Sequence, residues 1–164
     1  MTTALVRTRV ATEDDVAAVL ALHERCSAQT LEQRFHAAVP GISLRLARRL
    51  VLPPGGWSIV AEQCGQVVGH GCAGRLSDTG VEVGLLVDDA FQGSGIGSRL
   101  MRDLAQGAAE RGFGSLVCEV EPDNESVLPT VRKAGLDPQT RYVDGVLEIV
   151  VPLGRVADCD QQTA

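Results

Sequence analysis

Hydrophobic and polar residues follow two different periods along this 164-residue chain. A period of two predicts strands over 5–10, 57–61, 66–73, 80–87 and 116–120, and a hairpin over 141–151 that turns at Asp144-Gly145. A period of 3.6 predicts helices over 12–26, 95–111 and 124–135, and a less regular helical stretch over 31–35 and 43–52 that Pro40-Gly41 interrupts. Thr12 is the predicted N-cap of the first helix and Asn124 that of the last.

The order of these elements predicts a mixed sheet. No helix fits between the three middle strands, so they are expected to form an antiparallel meander. The fifth strand is reached through the longest helix and is expected to lie parallel to its neighbour. The length suits one domain, which we place at residues 1–154, followed by a polar tail at 155–164.

Composition narrows the functional classes. The net charge of −6 argues against nucleic acid and anionic membranes as main partners. No apolar stretch is long enough for a membrane helix, and no leader segment is evident, so a cytoplasmic location is expected. The cysteines show no C-x-x-C spacing, which predicts reduced, mostly buried thiols and no metal site, at Cys26, Cys64, Cys72, Cys118 and Cys159.

The segment with the clearest chemistry is the glycine-rich turn Gln92-Gly93-Ser94-Gly95-Ile96-Gly97, between a strand and the longest helix. Such a turn presents bare N–H groups to an anion, and the helix dipole adds to the attraction. A P-loop would need a lysine after the last glycine, where Ser98-Arg99 stands. A dinucleotide-binding turn would need a glycine at Ser98 and no meander before it.

The pattern Gln-x-x-Gly-x-Gly resembles the acetyl-coenzyme A loop of the GCN5-related N-acetyltransferases, the GNAT family. The strand end Leu-Val-Asp-Asp, Asn124 and Lys133-Ala134-Gly135-Leu136 extend the resemblance. It implies the α/β (α+β) GNAT fold: six to seven strands flanked by about four helices, in the order β-α-α-β-β-β-α-β-α-β-β.

The resemblance also implies acetyl-CoA as co-substrate. In the family, the strand before the loop pairs with the pantetheine arm, the loop holds the pyrophosphate and an asparagine contacts the cofactor. The implied residues are Leu85, Leu86, Val87, Gln92, Gly93, Ser94, Gly95, Ile96, Gly97 and Asn124.

An amine must lose a proton before it attacks a thioester, because its ordinary pKa lies near 10.4. Glu82 is the candidate base, directly or through water. Alternation places Glu82, Gly84 and Leu86 on one face of the strand, and desolvation by its apolar neighbours would make the carboxylate more basic. Glu119, on the next strand, is the second candidate.

Many family members use a tyrosine to protonate the departing thiolate, and Val131 stands at that position. The single tyrosine, Tyr142, lies in the predicted hairpin. A thiol with a pKa near 8.5 is a tolerable leaving group without such an acid. A non-catalytic acyl-CoA-binding regulatory domain therefore stays open as an alternative.

A shorter segment, Ser27 to Phe35 with Arg34-Phe35, resembles bacterial protein-lysine acetyltransferases. It implies a protein lysine as the acceptor, with a small-molecule amine as the alternative. A homodimer is a further expectation carried by the family.

Overall fold

A computed structural model describes residues 5–154 and shows a seven-stranded mixed sheet with helices on both faces. The strands are β1 (Arg7–Val10), β2 (Trp57–Gln63), β3 (Gln66–Arg75), β4 (Gly80–Val87), β5 (Ser115–Val120), β6 (Gln139–Val143) and β7 (Val146–Pro152). The α-helices are α1 (Val16–Arg25), α2 (Ala28–Phe35), α3 (Leu44–Val51), α4 (Ile96–Glu110) and α5 (Val127–Lys133). Short 3-10 turns at Glu13–Asp15 and Asp89–Phe91 precede α1 and α4.

The sheet order is β1-β2-β3-β4-β5-β7-β6, and every pair is antiparallel except β4 with β5. The meander of β2, β3 and β4 and the parallel fifth strand are therefore as the sequence predicts. Two tight turns explain how the antiparallel pairs close. Cys64 and Gly65 have φ of 51° and 77°, and Asp144 and Gly145 have φ of 50° and 85°, a left-handed backbone typical of two-residue hairpin turns.

Two hydrophobic clusters fill the two faces of the sheet. Val81 and Val83 of β4 pack with α4 and α5 on one face. Leu86 packs with residues of α1, α2 and α3 on the other face. The predicted alternation along β4 is thus confirmed, and it assigns Glu82 and Gly84 to the face that α2 covers.

Two local predictions need correction. The interrupted stretch over 31–35 and 43–52 forms two separate helices, α2 and α3, so five α-helices flank the sheet where about four were expected. Ser27 and Ser43 begin these helices, since each side-chain oxygen accepts a backbone N–H of the first turn. Asn124 is not the N-cap of α5; that residue is Ser126, whose hydroxyl donates to Asn124 Oδ1 over 2.6 Å.

The thiols are only partly buried. Cys26 and Cys118 are buried, whereas Cys64 is exposed in the β2–β3 turn, contrary to the expectation of buried filler. Cys159 and the predicted tail at 155–164 lie outside the described residues. Within residues 5–154, no helix combines the length and apolar character needed to cross a membrane.

Candidate active site

The main cavity has a volume of about 710 Å³ and opens between β4, β5, α2 and α5. The cavity forms because the parallel strands β4 and β5 pair over only a short length. β4 and β5 are in register only from Gly80↔Ser115 to Glu82↔Val117. Beyond Glu82 the strands separate, and in the described chain the β5-facing edge of β4 has no strand partner. A free strand edge of this kind can accept an extended ligand as an added strand.

The glycine-rich turn forms one end of this cavity. Gly93 and Gly95 adopt φ of 76° and 87°, and Gly95 is the N-cap of α4. A Cβ at either glycine would meet no protein atom within 4 Å, so the space beside both is open. The first N–H groups of α4 lack helical partners and lie beside that space, which suits a phosphate group.

Gln92 has a structural role within the same loop. Its side-chain amide donates to the carbonyl of Val87 and to the hydroxyl of Thr30, both over 3.2 Å. The turn is thereby tied to the end of β4 and to α2. Ser94 does not line the cavity, and its hydroxyl donates to the carbonyl of Phe91 within the turn. All the other residues expected to contact the donor do line it.

Two carboxylates lie toward the acceptor side of the cavity. Glu82 lies opposite Val117 in the β4–β5 register, and Glu119 follows two residues later on the same face of β5. Both side chains are exposed. The desolvation expected for Glu82 is therefore wrong for the protein alone, because the cavity mouth leaves this carboxylate in contact with solvent.

Helix α2 forms a wall of the cavity and is held at its first turn by Asp89. The Asp89 carboxylate accepts from the amide and hydroxyl of Ser27, over 2.9 and 2.7 Å, and from the hydroxyl of Thr30 over 2.9 Å. Burial alone would raise the pKa of Asp89, but the hydrogen bonds from Ser27 and Thr30 outweigh it and lower that pKa. At the other end of α2, His36 Nδ1 lies 3.7 Å from the carboxylate of Glu121.

Sequence reasoning missed the two cations that line this cavity, Arg34 and Lys133. Arg34 was named only within the Arg34-Phe35 motif that implies a protein lysine as acceptor, and Lys133 only within the segment Lys133-Ala134-Gly135-Leu136, neither as a cavity cation. The cations near the loop in sequence have other partners. Arg99 donates to the carbonyl of Val6 over 2.8 Å, and Arg102 donates to the carbonyl of Ala134 over 3.1 Å.

No tyrosine lines the cavity. Val131 is fully buried on α5, and Tyr142, the single tyrosine of the chain, is 72% exposed on the edge strand β6. The cavity therefore offers no tyrosine hydroxyl as a general acid.

The model of the acetyltransferase (GNAT) family matches residues 16–136, well over half of the chain. The chain therefore belongs to the GNAT family of acetyltransferases. This assignment agrees with the open edge of β4 and with the glycine turn at the start of α4.

Solved structures support the fold assignment. The GNAT domain of S. lividans PAT is 26% identical, with a TM-score of 0.80 and 90% of each chain covered. yncA from Salmonella typhimurium, solved with its cofactor acetyl-CoA, is 23% identical, with a TM-score of 0.69 and 94% and 98% covered. A phosphinothricin acetyltransferase from Sinorhizobium meliloti, in complex with AcCoA, is 19% identical, with a TM-score of 0.73 and 97% and 95% covered. No curated protein sequence matches the chain.

Proposed function

We propose that this GNAT acetyltransferase moves an acetyl group from acetyl-CoA directly to a primary amine bound in the same cavity. The observation that carries the proposal is the shape of that cavity. A free strand edge, a glycine turn at a helix N-terminus and two carboxylates all line one continuous space. The glycine turn offers a site for a phosphate group, the free strand edge a site for an extended arm, and the carboxylates a site for an amine.

At the donor end, we assign the pyrophosphate to the backbone N–H groups of 92–97 and the pantetheine arm to the β5-facing edge of Leu85–Val87. The open space beside Gly93 and Gly95 supports this assignment, because a phosphate can approach the backbone closely there. Asn124 also lines the cavity and is a further proposed contact for acetyl-CoA. Acetyl-CoA supplies the acetyl group as a thioester.

At the acceptor end, Glu82 is the proposed base, directly or through one water. It takes a proton from the ammonium group of the acceptor, and the neutral nitrogen then attacks the thioester carbonyl. A C–N bond forms, the C–S bond breaks, and the thiolate leaves with the electron pair of that bond. The nitrogen is then still protonated, and it gives its second proton to solvent to leave the neutral amide. Glu82 lies beside the point where β4 and β5 separate, and this position supports its role as the base. With no tyrosine in the cavity, solvent protonates the thiolate.

The proposed acceptor is the ε-amine of a protein lysine. The Ser27–Phe35 motif lies on the cavity wall, and the carboxylates of Glu82 and Glu119 suit a cationic side chain. A small-molecule amine is the alternative. The single domain of residues 1–154, the cytoplasmic location and the homodimer stay predictions from the sequence.

The proposal is tested by comparing Glu82→Gln with Glu119→Gln, which removes the other carboxylate on the same face. Loss of a general base lowers kcat by about 100-fold or more, so Glu82→Gln should do so while Glu119→Gln keeps most of the activity. Equal kcat for wild type and Glu82→Gln would overturn the role of Glu82. Tight acetyl-CoA binding without turnover of any amine would instead support a non-catalytic binding domain.

A further inference from the structure

Arg34 projects from α2 onto the sheet and lies directly over Gly84 of β4. A Cβ on residue 84 would lie 2.5 Å from Arg34 Nη1 and 2.6 Å from Nη2, closer than two such atoms can approach. The contact therefore requires glycine at position 84 or a displaced guanidinium. Both residues line the main cavity, so this guanidinium forms part of the acceptor wall.

The guanidinium of Arg34 has weak partners. Its Nη2 donates to Cys72 Sγ over 3.1 Å, and its Cζ lies 5.2 Å from the centroid of the Phe35 ring. Within residues 5–154, no ion pair joins Arg34 to a carboxylate. A guanidinium carries five N–H donors, and a thiol is a poor acceptor for any of them. A half-buried cation with so few acceptors is poised to bind an anion.

Charges of opposite sign are separated along this wall. Glu82 and Gly84 are two residues apart on the same face of β4, which spaces them by about 6.6 Å. The carboxylate of Glu82 lies at position 82, and the guanidinium of Arg34 covers position 84. An acceptor that places its amine at Glu82 has room to present an anionic group to Arg34.

We propose that Arg34 is the carboxylate-binding residue of the acceptor site, so that the preferred acceptor is an amine bearing a carboxylate about one lysine side chain away. The inference rests on the proposed function. The planar fork of a guanidinium binds a carboxylate through two parallel hydrogen bonds. The carboxylate has two possible sources: the main-chain carboxylate of a free lysine derivative, or an acidic side chain beside the lysine of a protein.

Matched acceptor pairs test the proposal on the wild-type enzyme. The first pair is Nα-acetyl-lysine and its methylamide, which differ only in the carboxylate. The second pair is two short blocked peptides with glutamate or glutamine next to the lysine. The member without the carboxylate should have a kcat/KM about tenfold lower or more, because it lacks the charged partner of Arg34. This difference is expected in the pair whose carboxylate can reach Arg34. The pair that responds identifies the source.

Three variants test whether Arg34 carries that preference. Arg34→Gln should abolish the difference between acid and amide, and Arg34→Lys should retain part of it. Gly84→Ala should reduce the difference as well, because its Cβ displaces the guanidinium. Arg132→Gln, at an exposed arginine of α5, is the matched control and should leave the difference unchanged. The dissociation constant of acetyl-CoA should stay the same in all four.

Equilibrium binding keeps this inference separate from the proposed function. Calorimetry of each acceptor pair with the coenzyme A-loaded protein reports carboxylate recognition even where no acetyl transfer occurs. Tighter binding of the acid by wild type, lost in Arg34→Gln, supports the inference whatever the turnover. Equal affinity for acid and amide in both pairs, or a preference that survives in Arg34→Gln, overturns it. Turnover without a carboxylate preference would overturn the role of Arg34 alone.

Discussion

The carboxylate of Asp89 accepts both the backbone N–H and the hydroxyl of Ser27, over 2.9 and 2.7 Å. This contact joins the segment after β4 to the start of α2 across 62 residues of sequence. The wall that carries Arg34 is thereby held by the segment that leads into the glycine turn. Together with the hydrogen bond from the Gln92 amide to the Thr30 hydroxyl, this contact links the donor side of the cavity to the acceptor side.

Removing that connection should loosen α2. In Asp89→Ala, amide exchange in α2 should be roughly tenfold faster, because hydrogen bonds to a charged acceptor are lost. The KM for the acceptor should rise. Hydrogen-exchange mass spectrometry measures the first effect, with Asp137→Ala, at an exposed aspartate, as the control. Unchanged exchange in α2 would contradict the assigned role of Asp89.

The binding role of the glycine turn can be tested with two glycine substitutions that impose similar backbone strain. Gly95 and Gly112 flank α4, have φ of 87° and 82°, and would each place a Cβ in open space. Gly95→Glu and Gly112→Glu should therefore destabilise the fold similarly, by about 1–2 kcal/mol for an L residue in this conformation.

Only Gly95→Glu should weaken acetyl-CoA binding, by about tenfold or more, because its carboxylate would lie beside the proposed pyrophosphate site. Calorimetric titration of both variants decides the matter. Equal losses of affinity in the two variants, or no loss in either, would contradict the assignment of the pyrophosphate to this turn.

Asp15 links stability to pH. The hydrogen bond from Arg9 lowers the pKa of Asp15, and the backbone N–H of Thr12 donates to the same carboxylate over 2.7 Å. A lowered pKa in the folded state means that the stabilisation is complete above the ordinary aspartate pKa and is lost as the pH falls through the folded value.

Asp15→Asn should therefore lower the free energy of unfolding by about 1 kcal/mol at pH 7, and the difference from wild type should shrink in acid. Urea unfolding at several pH values measures this. Asp14→Asn, at the exposed neighbouring acid, should have little effect at any pH. A difference that stays constant down to pH 2 would show that the charge of Asp15 does not matter.

Thiol reactivity should follow burial. Burial raises the pKa of Cys26 to about 12, and the nearby Asp89 and Asp88 add to the effect. Burial, with Glu82, likewise raises the pKa of Cys118 to about 12. At pH 8 a maleimide should label exposed Cys64 quickly and leave both of these thiols intact until the protein is unfolded. Peptide mapping reads each site separately, and rapid native labelling of Cys118 would refute its burial.

The sequence predicts well what depends on local rules. The turn at Asp144-Gly145 and the alternation of Glu82 and Leu86 with their neighbours follow from backbone preference and period. The glycine turn was recognisable because its pattern and its place before α4 agree.

Other features depend on tertiary contacts that no local pattern reveals. Asn124 looks like a helix cap, yet Ser126 begins the helix. Glu82 lies in an apolar strand, but its side chain lines the open cavity and is exposed to solvent. The position of Arg34 over Gly84 joins residues 50 positions apart, so it emerges only when α2 packs on the sheet.

The central claim is acetyl transfer to an amine, and product analysis tests it most directly. The purified protein is incubated with acetyl-CoA and a lysine-containing peptide, and mass spectrometry of the peptide is followed together with the release of coenzyme A thiol. We predict one acetyl group on the lysine amine for each thiol released, with both rates falling together in Glu82→Gln. Saturable acetyl-CoA binding with neither acetylated peptide nor thiol release, across peptides and small amines alike, would contradict the account.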